Sequence, residues 1–141
     1  MRSFCYLNFL SALRFLALQH KKILLVDDEV VIGEELAELL ASMDFPTLAV
    51  TSVDEALDAI DADSDFTLIL TDMRMPGKSG ADLIRQLQAM ADRYFEYVII
   101  SGHLDAGQEL AEIEADSVKL MRKPIDVGEL LAYLDGLSFA S

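Results

Sequence analysis

The sequence predicts an α/β fold, a doubly wound parallel sheet of five strands in the order 2-1-3-4-5. Five short β-prone runs alternate with five segments of helical periodicity along 141 residues. Such alternation indicates βαβ units and a sheet with helices on both faces. The right-handed crossover rule leaves few strand orders, and polar residues collect where the carboxyl ends of the strands are expected. The switch point of this order lies between the first and third strands.

The five predicted strands share a run of mainly apolar residues that ends at a turn or a polar group. They are Ile23–Val26, Thr47–Val50, Phe66–Asp72, Tyr97–Ile100 and Val118–Met121. The third is nearly continuous in its apolar character and runs into Pro76-Gly77, which is typical of a strand buried on both faces of a parallel sheet. We therefore expect it at the centre of the sheet.

The segments after the strands have apolar residues at a spacing of three or four, which predicts amphipathic helices. In chain order these residues are Ile32, Leu36, Leu39, Leu40 and Met43; Val53, Leu57 and Ile60; Leu83, Ile84, Leu87 and Met90; Leu110, Ala111 and Ile113; and Leu130, Leu131, Leu134 and Leu137. The fourth helix is the weakest because Gly107 lies inside it.

Polar pairs three residues apart predict where three of the helices begin. Ser52 with Glu55 and Asp126 with Glu129 have the spacing of a capping box, and Ser79 with Asp82 gives a similar signal. These pairs mark the residues at which three of the helices are expected to begin.

Composition indicates one globular domain and argues against nucleic-acid binding. Apolar residues make up 52% of the chain, and the formal charge is −14. Residues 1–20 hold two arginines and no acidic residue, so residues 21–141 carry −16, two more negative than the whole. Phosphate backbones repel such a surface. The single cysteine, Cys5, allows no internal disulfide and fits a reducing cytosol, so we expect a cytoplasmic protein.

Residues 1–20 differ from the rest and are expected to lie outside the fold formed by residues 21–141. Residues 1–18 are apolar and aromatic, with Asn8, Ser11 and Arg14 forming a thin polar strip at helical spacing. Arg14 and the shortness of the run argue against a secretory signal or a membrane span. Two interpretations stay open: an amphipathic helix that binds a membrane surface or a partner, and an extension unrelated to the fold.

Polar residues follow four of the five predicted strands, at the edge where open α/β sheets carry their chemistry. They are Asp27, Asp28, Asp72, Ser101 and Lys123. Each alone has an ordinary structural explanation as a helix cap, a turn residue or a solvated side chain. Their shared position at one edge indicates a common site.

Three carboxylates in one crevice repel one another unless a cation lies among them, and oxygen ligands favour Mg²⁺. Asp72 would then be free to act as a nucleophile toward a phosphoryl group. Lys123 and the Ser101 hydroxyl would stabilise the charge on that group. No further acid or histidine is placed to activate water strongly, so the site is expected to accept a group and not to turn over substrate as an enzyme.

Four motifs resemble the receiver domain of two-component response regulators, which has a flavodoxin-like (βα)5 fold. They are LLVDDE at 24–29, LILTDMRMPGKSG at 68–80, VIISGH at 98–103 and MRKP at 121–124, and the resemblance covers residues 22–138. It implies that Asp72 accepts a phosphoryl group from a phosphohistidine on a sensor histidine kinase or a histidine phosphotransfer protein. The expected function is that of a single-domain regulator, in which phosphorylation switches partner binding or relays the group.

The resemblance also implies roles for individual residues. Asp28, Asp72 and the backbone carbonyl of Arg74 would bind Mg²⁺, with Asp27 contributing through water, while Ser101 and Lys123 would contact the phosphoryl group. The Lys123–Pro124 bond would be cis.

One position departs from the family pattern. Leu120 stands where receivers usually have Phe or Tyr. An alternative function is therefore a pseudo-receiver that binds protein partners without phosphorylation. A phosphatase with an aspartate nucleophile is disfavoured because position 74 is Arg where that chemistry needs a second acid.

Overall fold

The computed structural model describes residues 22–90, 93–102 and 117–139. Their five strands form one sheet in the order β2-β1-β3-β4-β5, with every neighbouring pair parallel. The strands are β1 (Lys22–Val26), β2 (Thr47–Val50), β3 (Phe66–Asp72), β4 (Glu96–Ser101) and β5 (Val118–Arg122). The helices in these ranges are α1 (Val30–Ser42), α2 (Val53–Ala62), α3 (Gly80–Gln88) and α4 (Val127–Phe139). The predicted fold class and strand order are confirmed.

Two predictions fall outside the described residues. One is the helix between β4 and β5, predicted from Leu110, Ala111 and Ile113. The other is the separate character of residues 1–20. Within the described ranges, no helix has both the length and the apolar character needed to cross a membrane.

The sheet is covered on both faces, as its apolar strands predict. One face packs against α2 and α3, and the other against α1 and α4. In β3 every side chain except that of Thr67 is buried, which agrees with a central strand. Because successive side chains of a strand point to opposite faces, Ile69 contributes to one core and Leu68 and Leu70 to the other.

The capping signals are confirmed with one difference in detail. At α3, the Ser79 side chain accepts a hydrogen bond from the Asp82 N–H and the Asp82 side chain accepts one from the Ser79 N–H, so the box is complete. At α2, Ser52 Oγ accepts from the Glu55 N–H, but the Glu55 carboxylate accepts from the N–H and hydroxyl of Thr51. Asp126 Oδ1 accepts from the Glu129 N–H at the start of α4.

The buried face of α1 differs from the one that its large apolar residues predict. The helix turns Gly33, Ala37 and Leu40 toward the sheet, and Leu36 is half-buried. Ile32, Leu39 and Met43 are exposed. A Cβ atom built on Gly33 would lie 3.6 Å from the Asp27 Cβ and 3.8 Å from the Ala49 Cβ, so small residues allow a close approach of α1 to the sheet.

Candidate functional site

The strand register brings the predicted residues to one edge of the sheet. Val26 lies opposite Thr71, so Asp27 is level with Asp72 across the β1–β3 pair. Asp72 lies opposite Ile100, one residue before Ser101 at the end of β4. Ser101 in turn lies opposite Arg122, directly before Lys123. The carboxyl ends of four strands therefore meet around Asp72.

The carboxylates of Asp27, Asp28 and Asp72 form the acidic cluster that the sequence predicts. One oxygen from each lies within 4.8 Å of the other two. Carboxylate oxygens are the ligands that Mg²⁺ prefers, so the chemistry of this set fits that ion. Asp28 is exposed and Asp72 is buried, which leaves an open side where water can complete the coordination.

Within the acidic cluster, the surroundings of Asp27 shift its pKa. Burial raises its pKa above the usual value, and a hydrogen bond from the Glu29 N–H, 2.9 Å from Oδ1, partly offsets this. Lys123 also lowers the pKa, whereas Asp72 and Glu29 raise it. The net rise means that the charged form is disfavoured here, as expected where a cation would compensate it.

Lys123 forms an ion pair with the predicted phosphoacceptor. Its Nζ lies 2.8 Å from Oδ2 of Asp72, whose side chain is only 9% exposed. Desolvation lowers the pKa of Lys123. The hydrogen bond to Asp72 and the negative charges of Asp72, Asp27 and Glu29 raise it, and they outweigh desolvation, so the pKa is raised overall. The lysine is therefore held in its charged form beside the carboxylate.

A cavity of about 210 Å³ opens over Asp72. Asp28, Glu29, Asp72, Arg74, Ser101, Gly102 and Lys123 line it. The volume is several times that of a water molecule, so it has room for a small anion with hydration water. Ser101 is buried at its wall, whereas Arg74 is exposed at the entrance.

Two residues that the sequence analysis did not single out hold the backbone of Asp72. Thr71 Oγ1 donates to the Asp72 carbonyl at 2.9 Å, and the Gly80 N–H donates to the Met73 carbonyl at 2.9 Å. A Cβ on Gly80 would lie 2.4 Å from the Asp72 carbonyl oxygen. The start of α3 is thus packed directly against the backbone of Asp72, and the Gly within the KSG sequence was the available signal.

Two further expectations concern residues near the site. The Lys123–Pro124 peptide bond is cis, as the resemblance implied. Leu120 on β5 is 44% exposed and lines neither this cavity nor the acidic cluster.

An aspartate ringed by two more carboxylates, a serine and a lysine at the carboxyl edge of a 2-1-3-4-5 sheet defines a class of phosphoryl-accepting α/β proteins. Residues 23–135 match the family model described as the response regulator receiver domain. The chain belongs to that family, the receiver domains of two-component signalling.

Curated relatives agree with this assignment. The chain is 32% identical over 124 residues to the two-component response regulator PprB of Pseudomonas aeruginosa, covering 86% of this chain and 45% of that protein. It is 31% identical over 107 residues to the transcriptional regulatory protein FixJ of Azorhizobium caulinodans, covering 76% and 50%. The chain thus spans half or less of the length of these relatives.

Solved receiver-domain structures align with this chain over almost their whole length. A CheY-like response regulator receiver domain from Methylobacillus flagellatus aligns with a TM-score of 0.72 at 28% identity, covering 83% of this chain and 98% of that one. A response regulator receiver protein from Pseudomonas putida gives 0.74 at 29% identity, covering 82% and 95%.

Proposed function

We propose that Asp72 accepts a phosphoryl group from a phosphohistidine in a Mg²⁺-dependent reaction, and that its phosphorylation state switches partner binding or passes the group on. The observation that carries this proposal is the ion pair between Asp72 and Lys123 beside the Asp27–Asp28 carboxylates. Asp72 would be the nucleophile, Lys123 the fixed cation and the three carboxylates the metal site, all beside one small cavity.

The proposed reaction is an in-line displacement at phosphorus. An Asp72 carboxylate oxygen forms the new P–O bond as the P–N bond to the donor imidazole breaks, and the imidazole leaves with the bonding electron pair. The protein has little covalent work beyond this attack, so positioning and charge stabilisation dominate. Asp72 is well suited because its backbone is held by Thr71 and by the start of α3.

Mg²⁺, held by Asp28, Asp72 and the Arg74 carbonyl with Asp27 acting through water, would neutralise charge on the transferring phosphoryl oxygens. Lys123 would donate to one of these oxygens from its present place beside Asp72. The buried Ser101 at the cavity wall would donate its hydroxyl to another. None of these residues activates water, which supports a phosphoacceptor role over enzymatic turnover.

The test uses a small phosphodonor, so that no partner needs to be known. Incubation of the protein with acetyl phosphate and MgCl₂, followed by intact-mass measurement, should show the addition of one phosphoryl group. Asp72→Asn should abolish the addition. Asp65→Asn removes an exposed carboxylate just before the same strand and should leave it intact.

Two outcomes would contradict the proposal. Equal phosphorylation of Asp72→Asn and the unchanged protein would show that another residue accepts the phosphoryl group. No phosphorylation of a folded protein that binds Mg²⁺ would favour the pseudo-receiver, the alternative that Leu120 keeps open.

The partners follow from the same chemistry. The expected donor is a sensor histidine kinase or a histidine phosphotransfer protein, and the downstream partner is expected to be a protein because a surface of charge −14 repels nucleic acid. A cytoplasmic location and action as a single-domain regulator stay predictions. Contact with a membrane would require residues 1–20 to form an interfacial helix.

A further inference from the structure

The loop between β3 and α3, residues 73–79, carries one of the proposed metal ligands. Arg74, whose backbone carbonyl would bind Mg²⁺, is the second residue of this loop and lines the same cavity as Asp28 and Asp72. The carboxylates are attached at the ends of strands, whereas the position of the Arg74 carbonyl depends on the conformation of the loop. Contacts that fix the loop therefore help to set the affinity of the site for the ion.

The base of the loop is fixed by backbone hydrogen bonds. The Met73 N–H donates to the Ile100 carbonyl of β4 at 3.0 Å, and the Gly80 N–H donates to the Met73 carbonyl at 2.9 Å, so the two ends of the loop are held together. Beyond this closure Arg74 and Gly77 are exposed, and Gly77 has a left-handed φ of 82°. A glycine turn leaves the tip free to adopt other conformations unless contacts outside the loop hold it.

Two side chains connect the loop to the α2 side of the sheet. Met75 is half-buried and packs against the core that α2 and α3 form with the sheet. Lys78 Nζ lies 2.9 Å from Oδ1 of Asp54, a residue 24 positions away in the first turn of α2. Val53 and Ala56, close to Asp54 in this helix, are buried, so the carboxylate is attached to a helix end that is fixed in the core.

We propose that the ion pair between Lys78 and Asp54 positions the Arg74 carbonyl for Mg²⁺. The inference rests on the proposed binding of Mg²⁺ beside Asp72 and extends it to an ion pair on the outer surface of the loop. Lys78 follows Arg74 by four residues and acts through the loop, so it is a positioning residue and not a ligand.

The expected effect is modest because the pair is exposed. The side chains of Lys78 and Asp54 are 50% and 79% exposed, and loss of such a pair should weaken Mg²⁺ binding by about two- to fivefold. Removal of a lysine also makes the protein more negative, which by itself favours binding of a cation. The positioning role and the effect of net charge therefore predict opposite changes in Kd.

Mg²⁺ titrations followed by amide chemical shifts measure Kd without any phosphorylation step. Lys78→Met should raise Kd about two- to fivefold relative to the unchanged protein. Lys78→Asp combined with Asp54→Lys rebuilds the pair in the reverse direction at the same net charge. This double variant should return Kd close to its original value.

Lys22→Met is the matched control. It also removes one lysine, and it breaks an ion pair in which Lys22 Nζ lies 2.6 Å from Oδ2 of Asp63. Lys22 begins β1, so this pair lies at the opposite end of the strand from the acidic cluster. We expect a Kd for Mg²⁺ that is unchanged or lower.

The outcomes separate this inference from the function on which it rests. Mg²⁺ binding by Lys78→Met that is as tight as in the unchanged chain, or tighter, would overturn the inference alone. A reversed pair that binds as weakly as Lys78→Met would do the same, as would an equal rise in Kd for Lys22→Met, because a general loss of stability would then explain both. Failure of the unchanged protein to bind Mg²⁺ would overturn the proposed function and this inference together.

Discussion

At the scale of single residues, burial of Asp27 makes its charged form unfavourable, and a bound cation would offset this cost in free energy. Burial raises its pKa, which means that the folded environment disfavours the charged carboxylate. Without Mg²⁺, this group's contribution to stability improves as the pH falls through its raised pKa, because the folded protein binds that proton more tightly than the unfolded chain does. The usual stabilising effect of a carboxylate is therefore reversed at this position.

Asp27→Asn should raise the stability of the metal-free protein at neutral pH, by up to about 1 kcal/mol, while it weakens stabilisation by Mg²⁺. The asparagine carbonyl can still accept the Glu29 N–H. Thermal melts with and without MgCl₂ measure both effects, and the exposed Asp58→Asn is the control. A metal-free Asp27→Asn protein less stable than the unchanged chain would contradict this account.

Gly80 is a residue whose lack of a side chain supports the site. Gly80→Ala would place a Cβ 2.4 Å from the Asp72 carbonyl oxygen, so the start of α3 or the backbone of Asp72 must move. We expect a loss of about 1–3 kcal/mol in the free energy of unfolding, together with slower phosphorylation by acetyl phosphate. Gly136→Ala in α4 meets nothing within 4 Å and should be neutral or stabilising. Similar effects of the two substitutions on denaturant midpoints would exclude the steric explanation.

Single site residues were predictable from the sequence to different degrees. Asp72 and the Asp27–Asp28 pair follow recognisable strands, so topology alone places them together. The direct pairing of Lys123 with Asp72 joins groups 51 positions apart, and the strand pattern fixes only the edge that they share. The contact of Gly80 with Asp72 depends on backbone positions to within an ångström, which residue patterns do not encode.

At the scale of secondary-structure elements, the capping box of α3 fixes where that helix begins behind Asp72. Ser79→Ala removes the side-chain acceptor for the Asp82 N–H and should cost about 1 kcal/mol of stability. Ser42→Ala removes an exposed hydroxyl whose hydrogen bond goes to the Leu39 carbonyl within α1, and it should have a smaller effect. Urea denaturation compares the two, and an equal or larger loss in Ser42→Ala would show that the cap is unimportant.

Helix α1 shows why the spacing of apolar residues predicts the presence of a helix better than it predicts which face of the helix is buried. Period 3.6 correctly gave a helix, but the large apolar residues drew the expected buried face toward Ile32, Leu39 and Met43. The sheet selects Gly33 and Ala37 instead, because small residues let the helix approach Asp27 and Ala49 closely. Glycine and alanine contribute little to a pattern that is judged by large apolar residues. The predicted buried face is therefore rotated away from the face that packs on the sheet.

At the scale of the whole molecule, the formal charge of −14 makes stability depend on salt and on Mg²⁺ in separable ways. Raising NaCl should increase the melting temperature because it screens repulsion among surface carboxylates. At matched ionic strength, MgCl₂ should add a further increase, worth about 1.4 kcal/mol when its concentration is roughly tenfold above Kd. Asp28→Ala should lose this extra increase and keep the NaCl response. Equal effects of the two salts on the unchanged protein would argue against a specific metal site.

The Lys123–Asp72 contact also has a mechanical consequence for the edge of the sheet. β5 is an edge strand with only Met121 fully buried, and its end is attached through the Lys123 N–H to the Ser101 carbonyl and through the Lys123 ammonium to β3. Loss of the charge on Asp72 therefore removes one of these two contacts at the end of the strand, while the pairing of β5 with β4 stays. Hydrogen–deuterium exchange should accelerate at residues 119–122 in Asp72→Asn, while β1 in the interior of the sheet keeps its protection. Unchanged exchange at residues 119–122 would mean that backbone pairing with β4 alone secures the edge.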